Sequence, residues 1–119
     1  MAEKYRAYLS VLQWLPAKFP DTMIEGSPIP DSPTDFRVSP GNLGVRVIKC
    51  SSGSRCVRRI RFALEQGHHK WFDKYMFVLV GDDEDAVQAI RDKLMSETLP
   101  VTVSVTMGYI STEGRFVEK

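Results

Sequence analysis

The sequence predicts an α+β fold, a small sheet of mixed strand direction with helices packed against it. Strand-like and helix-like spacings of apolar residues alternate in the second half of the chain, as in strand–helix–strand units. The composition, 43% hydrophobic and 26% charged, is typical of a globular chain that can bury a real core. The length of 119 residues suits one domain. We divide it into an N-terminal helix at 1–18, a Pro- and Gly-rich arm at 19–44 and an α/β core at 45–119.

The first element is predicted as a helix from Glu3 to Leu15. Five apolar residues recur there at helical spacing: Tyr5, Tyr8, Leu9, Leu12 and Leu15. Pro16 is expected to end the helix, because proline lacks the N–H that a helix interior needs. A strand over residues 5–12 is the alternative, since a second set also alternates: Tyr5, Ala7, Leu9 and Val11.

Residues 19–44 are predicted as an extended arm or a long surface loop. Five of the seven prolines and three glycines fall in this segment: Pro20, Pro28, Pro30, Pro33, Pro40, Gly26, Gly41 and Gly44. Proline removes backbone donors and glycine weakens regular structure. A long connection of this kind is often functional or ordered by a partner. The alternative is a strap that packs on the core through four apolar residues: Phe19, Ile24, Ile29 and Phe36.

The next segment begins with a short strand, predicted at 45–50, and a turn at 51–54. Residues 55–66 then fit a helix, with Ser54 as the N-cap and Gly67 at the C′ position. The apolar face of this helix comprises Cys56, Val57, Ile60, Ala63 and Leu64. The same residues nearly alternate as in a strand, so both interpretations stay open, and the two caps favour the helix.

The rest of the core is predicted as a strand–helix–strand unit. Trp71–Val80 is apolar on both faces, which is typical of a central strand. A helix follows at 83–97, and 101–107 alternates as a strand, so a right-handed crossover makes the two strands parallel. The inward stripe of the helix is Val87, Ile90 and Leu94. Residues 109–117 add an edge strand or a hairpin that turns at Glu113 and Gly114.

Two helices on one face of this sheet, at 55–66 and 83–97, give an arrangement close to a ferredoxin-like sandwich. The strand–helix order with a basic helix is also similar to that of some viral origin-binding domains. That likeness concerns the fold alone and carries no function with it.

Several features bear on location and redox state. The longest uninterrupted apolar run, Tyr75–Val80, is far shorter than a membrane span. The first six residues carry charges where a signal peptide needs an apolar stretch. We therefore expect a cytoplasmic, intracellular protein with no membrane partner, in which Cys50 and Cys56 are free thiols rather than a disulfide.

The chain shows no motif for catalysis or for a cofactor. Glycine-rich phosphate loops, the HExxH zinc motif and the GxSxG nucleophile motif are missing from the sequence. We therefore predict that the protein is not an enzyme and carries no cofactor. The acidic run Asp82–Asp85 is interpreted as the N-terminal cap of the following helix rather than as a metal site, because four consecutive residues splay around a helix axis.

Two metal-dependent alternatives are disfavoured by the spacing of their residues. A zinc site would combine Cys50, Cys56, His68 and His69, but the gap between the cysteines is wider than in a zinc knuckle. A DNA-nicking site would combine the two histidines with Tyr109 as the nucleophile. Adjacent histidines cannot share one strand face, which argues against such a site.

The strongest functional feature is a basic segment at 46–75 with interleaved aromatic residues. It carries eight basic and two acidic residues, a net charge of 8 − 2 = +6, whereas the rest carries eight basic and 13 acidic residues, 8 − 13 = −5. Arginines neutralise phosphates, and an aromatic ring can stack on an unpaired base. The predicted nucleic-acid-binding residues are Arg55, Arg58, Arg59, Arg61, His69, Lys70 and Trp71.

These observations lead to a first hypothesis of a non-enzymatic protein that binds DNA or RNA through the basic segment, as a monomer or a homodimer. The alternative is a subunit for protein–protein assembly or regulation, of viral or phage type. In that case the Pro-rich arm wraps a neighbour and the basic segment meets an acidic protein surface.

Overall fold

A computed structural model of the chain describes residues 2–26, 34–49, 72–81, 83–96 and 103–119. Two helices and six strands lie within these ranges: α1 (Ala2–Lys18), β1 (Met23–Gly26), β2 (Phe36–Ser39), β3 (Leu43–Lys49), β4 (Lys74–Val80), α2 (Glu84–Ser96), β5 (Val103–Ile110) and β6 (Phe116–Glu118). The strands form one sheet in chain order. The pairs β3–β4 and β4–β5 are parallel and the other pairs are antiparallel. The predicted class, α+β with a mixed sheet, is confirmed.

The two described helices cover opposite faces of the sheet. On one face Val11 and Leu15 of α1 pack with alternate residues of β3 and β4, including Val45 and Val78. On the other face the predicted stripe of α2, Val87, Ile90 and Leu94, packs on the remaining residues of β4: Tyr75, Phe77 and Leu79. We call this group the α2 cluster. Strand β4 is therefore buried on both sides, as its continuous apolar sequence predicted.

A ferredoxin-like sandwich is not confirmed. The six described strands follow one another in chain order, and α1 packs on the face opposite α2. The helix or strand predicted at 55–66, which was to share a face with α2, lies outside the described residues. So do the predicted turn at 51–54 and Trp71, and the strand predicted from Trp71 begins only at Lys74.

The helix prediction for α1 is confirmed, but its end and its buried face differ from the expectation. The helix continues through Pro16 to Lys18, and the N–H of Phe19 still donates to the carbonyl of Leu15 at 2.8 Å. A proline removes only one N–H, and here it stands in the last turn, where the helix tolerates the loss. The fully buried stripe is Ala7, Val11 and Leu15, whereas Tyr8, Leu9 and Leu12 are only partly buried.

The segment 19–44 is not an unstructured arm where the structure describes it. Strands β1 and β2 lie within it and pair with each other, and β2 pairs with β3. Phe36 is fully buried in the cluster between α1 and the sheet, and Phe19 and Ile24 pack on that cluster. The alternative in which this segment packs on the core is therefore confirmed for these three residues. Pro20 precedes β1 and Pro40 follows β2, so neither removes a donor from the ladder. Ile29 lies outside the described residues.

The strand–helix–strand unit predicted after residue 71 is confirmed where the structure describes it. Helix α2 begins after Asp83, whose carboxylate accepts hydrogen bonds from the N–H groups of Asp85 (3.0 Å) and Ala86 (3.3 Å). This geometry confirms a helix cap at Asp83. The side chains of Val103, Val105 and Met107 pack against the α2 cluster, and β5 and β6 form the expected hairpin. Among the described residues, no helix is both long and apolar enough to cross a bilayer.

Candidate functional site

The predicted nucleic-acid-binding residues all lie outside the described residues: Arg55, Arg58, Arg59, Arg61, His69, Lys70 and Trp71. The same holds for the four residues weighed as zinc ligands, Cys50, Cys56, His68 and His69. The structure does fix where this segment leaves and rejoins the sheet. Lys49 ends β3 and is in register with Val80, while Lys74 begins β4 and is in register with Leu43. The segment thus connects opposite ends of two neighbouring parallel strands.

Three basic residues of the segment 46–75 are described: Arg46, Lys49 and Lys74. The guanidinium of Arg46 lies 3.9 Å from the carboxylate of Asp35, which is too long for a hydrogen bond. The other carboxylate oxygen of Asp35 accepts a hydrogen bond from the backbone N–H of Val47 at 2.7 Å. Asp35 is therefore held by the backbone of β3 and only loosely neutralises Arg46.

Tyr109, the tyrosine of the disfavoured nicking site, lies on β5 opposite Val117 of β6 and is 37% exposed. Its two histidine partners lie outside the described residues. Within the part of the chain that is described, no group of three or more His, Cys, Asp or Glu side chains could hold a metal ion.

Tyr75 has a strongly shifted pKa. Burial of its side chain in the α2 cluster raises the pKa of Tyr75 to about 12. Its ring packs edge-on against Phe72, with centroids 5.6 Å apart. A phenol held neutral in this way is a core residue, not an acid or base for chemistry at neutral pH.

One cavity, of about 260 Å³, lies at the carboxyl ends of the parallel strands β4 and β5. Open α/β sheets often bind ligands at this edge. Here Glu84 and Lys119, which form an ion pair, both line the cavity. The nearby N–H groups at the start of α2 are occupied by Asp83, and Asp85 is exposed beside them. Negative charge at this edge disfavours an anionic ligand.

A second cleft, of about 330 Å³, lies between α1 and the start of β6. Ser10, Gln13 and Trp14 contribute to it from the helix, because residues spaced i, i+3 and i+4 lie on one side of a helix. Arg115 and Phe116 line the opposite wall. The cleft is therefore built by elements about a hundred positions apart in the chain.

The aromatic part of this cleft is fixed by packing. The rings of Trp14 and Phe116 meet edge to face, with centroids 4.9 Å apart and an interplanar angle of 65°. The ammonium of Lys18 lies 5.9 Å from the centroid of the Trp14 ring and 3.0 Å from the carboxylate of Glu118. A positive charge thus lies over an indole that is only partly buried.

The polar part of the cleft is held by the β5–β6 turn and by α1. The backbone of Arg115 accepts a hydrogen bond from the N–H of Ser111 at 2.8 Å, and its own N–H donates to the Ser111 hydroxyl at 3.3 Å. Gly114 closes the turn at φ +82°, a conformation that favours glycine. The guanidinium of Arg115 remains exposed. On the helix, Ser10 is buried and its hydroxyl donates to the carbonyl of Ala7 at 2.8 Å.

The sequence did not identify this cleft. The spacing of Ser10, Gln13 and Trp14 was visible, but only the packing of α1 beside β6 brings Arg115 to them. No periodicity or motif links residues so far apart.

Comparisons with protein-family models, with curated proteins and with solved structures find no match for this chain. Functional inference therefore rests on the residues described above and on the charge pattern of the sequence.

Proposed function

We propose that the protein is a non-enzymatic nucleic-acid-binding protein that contacts phosphates through the basic segment 46–75. The observation that carries the proposal is the sorting of charge along the chain. A net charge of +6 falls within 30 consecutive residues, while the remainder of the chain carries −5. A concentration of arginine and lysine attracts a polyanion, and release of condensed counterions then drives binding.

The described members of the segment support this proposal by their positions. Lys49 and Lys74 stand at opposite ends of the paired strands β3 and β4, roughly 20 Å apart at the rise of a β-strand. Arg46 lies between them, with a carboxylate near it but not hydrogen-bonded to it. Lys49 and Lys74 thus flank the arginine-rich part of the sequence, one before it and one after it, and the alternation of the strands places both on the α1 face of the sheet.

The aromatic residue Trp71 supports a preference for single strands. It follows Lys70 directly and belongs to the same basic segment. Stacking of a base on an aromatic ring contributes about 1–3 kcal/mol and is available only to unpaired bases.

A salt titration of binding tests the proposal. The protein is titrated against fluorescein-labelled single-stranded and double-stranded oligonucleotides at several salt concentrations, and affinity is read from fluorescence anisotropy. We expect log affinity to fall linearly with log salt, and single strands to bind more tightly. A folded protein with no salt-dependent binding to either oligonucleotide at low ionic strength would contradict the proposal.

Assembly with another protein is the second candidate function, and one observation favours it. Met23 on β1 is 68% exposed, and β1 is an edge strand of the described sheet. An edge strand offers unpaired backbone groups to another chain, and an exposed methionine adds apolar contact. If this candidate is correct, Met23→Lys lowers the mass measured by light scattering from that of an oligomer to that of one chain. An unchanged mass would count against it.

A further inference from the structure

The cleft between α1 and β6 places exposed polar groups beside a partly buried aromatic ring. Gln13 and Arg115 are exposed, and both line the cleft beside Trp14. Within the described part of the chain, no carboxylate lies within 4 Å of the Arg115 guanidinium, whereas Lys18 is paired with Glu118. The cleft therefore has a cation at its wall that is available to a ligand.

The aromatic groups of the cleft suit a flat ring. Phe116 is buried and supports Trp14 edge-on, which fixes the plane of the indole. The volume of about 330 Å³ is at the lower end of the range for small-molecule sites. A planar ligand can stack on the indole, as unpaired bases do on aromatic side chains of nucleic-acid-binding proteins.

The charged and polar groups of the cleft indicate what the ligand carries besides a flat ring. Arg115 lines the cleft and carries its positive charge, whereas the charge of Lys18 is balanced by Glu118, so an anionic ligand is attracted and a cationic one is repelled. A guanidinium fits a phosphate in a bidentate manner. The amide of Gln13 can both donate and accept, which matches the mixed hydrogen-bonding edge of a nucleobase.

We propose that this cleft binds one unpaired nucleobase together with its phosphate. The base stacks on Trp14, the phosphate pairs with Arg115, and the amide of Gln13 contacts the edge of the base. A peptide carboxylate would leave the indole unused, and inorganic phosphate would leave both the ring and the amide unused. The site shares no residue with the basic segment 46–75, so it can be tested independently of the proposed function.

The tryptophan content permits a direct test with a mononucleotide. The chain has two tryptophans, so Trp71→Phe leaves Trp14 as the sole tryptophan, whose fluorescence reports on the cleft. Adenosine 5′-monophosphate is titrated into this variant, with adenosine as the ligand that lacks the phosphate. We expect saturable quenching by the nucleotide and weaker binding of adenosine.

Two further substitutions in the Trp71→Phe background identify the phosphate contact. Arg115→Ala is expected to weaken nucleotide binding by about tenfold, the effect of losing one charged hydrogen-bonding partner. Arg91→Ala is the matched control, because it removes the same charge from α2 on the opposite face of the sheet and should leave the affinity unchanged. Far-UV circular dichroism verifies that both variants are folded.

A parallel titration distinguishes the source of the bound base. If single-stranded nucleic acid supplies it, a 12-nucleotide single strand titrated alone quenches Trp14 in a saturable way, and Arg115→Ala weakens that binding. If free nucleotides supply it, the oligonucleotide alone leaves Trp14 emission unchanged. Either outcome supports the site. No saturable change in Trp14 emission with the mononucleotide, or equal affinity for Arg115→Ala and the parent, would overturn it.

Discussion

The carboxylate of Asp35 accepts a hydrogen bond of 2.7 Å from the backbone N–H of Val47. The backbone N–H of Asp35 itself donates to the carbonyl of Val45 at 2.7 Å, just beyond the last register pair of β2 and β3, Phe36 with Val45. The side chain of Asp35 thus satisfies a strand N–H that the β2 backbone no longer reaches. This contact ties the Pro-rich segment to the central part of the sheet.

Removing that acceptor should destabilise the protein. Asp35→Ala leaves the partly buried N–H of Val47 without its partner, at an expected cost of about 1–3 kcal/mol in the free energy of unfolding. Asp35→Asn keeps an acceptor and should cost clearly less. Urea unfolding of the three proteins measures both effects. Equal stabilities of Asp35→Ala and the parent would show that the contact does not hold the segment in place.

Gly108 is expected to tolerate no side chain. A Cβ atom at this position would lie 2.3 Å from the carbonyl oxygen of Val117 and 2.4 Å from the ring of Phe116. Gly108→Ala should therefore cost about 1–3 kcal/mol, because either the hairpin or the ring must move. Gly41→Ala is the matched control, since a Cβ there meets nothing within 4 Å. Thermal or urea unfolding that ranks the two variants equally would contradict the close packing of β5 on β6.

The raised pKa of Tyr75 makes a prediction about alkaline stability. The phenol titrates near 10 in the unfolded chain and at about 12 in the folded protein. Between these pH values the folded state holds more protons than the unfolded state, so the free energy of unfolding falls as pH rises above 10. Below pH 10 this contribution is fully present.

The corresponding variant is Tyr75→Phe, which removes the titrating hydroxyl. Its urea midpoint should fall less steeply between pH 9 and pH 11 than that of the parent, whatever its stability at neutral pH. Parallel pH profiles for the two proteins would mean that Tyr75 is not the group responsible.

Local periodicity was sufficient to predict β4, α2 and β5. The apolar run of β4, the stripe at Val87, Ile90 and Leu94 and the alternation of β5 each fix an element without reference to the rest of the chain. The first half was harder for physical reasons. Strands β1 and β2 have four residues each, too few for a period to emerge among prolines and glycines.

The candidate cleft could not be predicted from the sequence, for a different reason. Trp14 and Arg115 meet only because α1 packs beside β6, and a contact between such distant residues has no local pattern. The same limit explains the buried face of α1. Ala7 and Val11 are buried because the sheet lies beside them, although Leu9 and Leu12 are larger and more apolar.

The most direct test of the nucleic-acid proposal is the salt dependence of binding by the double variant Arg58→Ala/Arg59→Ala. If both side chains contact phosphates, the slope of log affinity against log salt should fall by roughly 1.4 to 1.8 relative to the wild type, the range spanned by single and double strands. Arg91→Ala/Lys93→Ala on α2 removes the same charge elsewhere and should change the slope much less. A slope for Arg58→Ala/Arg59→Ala equal to that of this control would contradict phosphate binding by the two arginines.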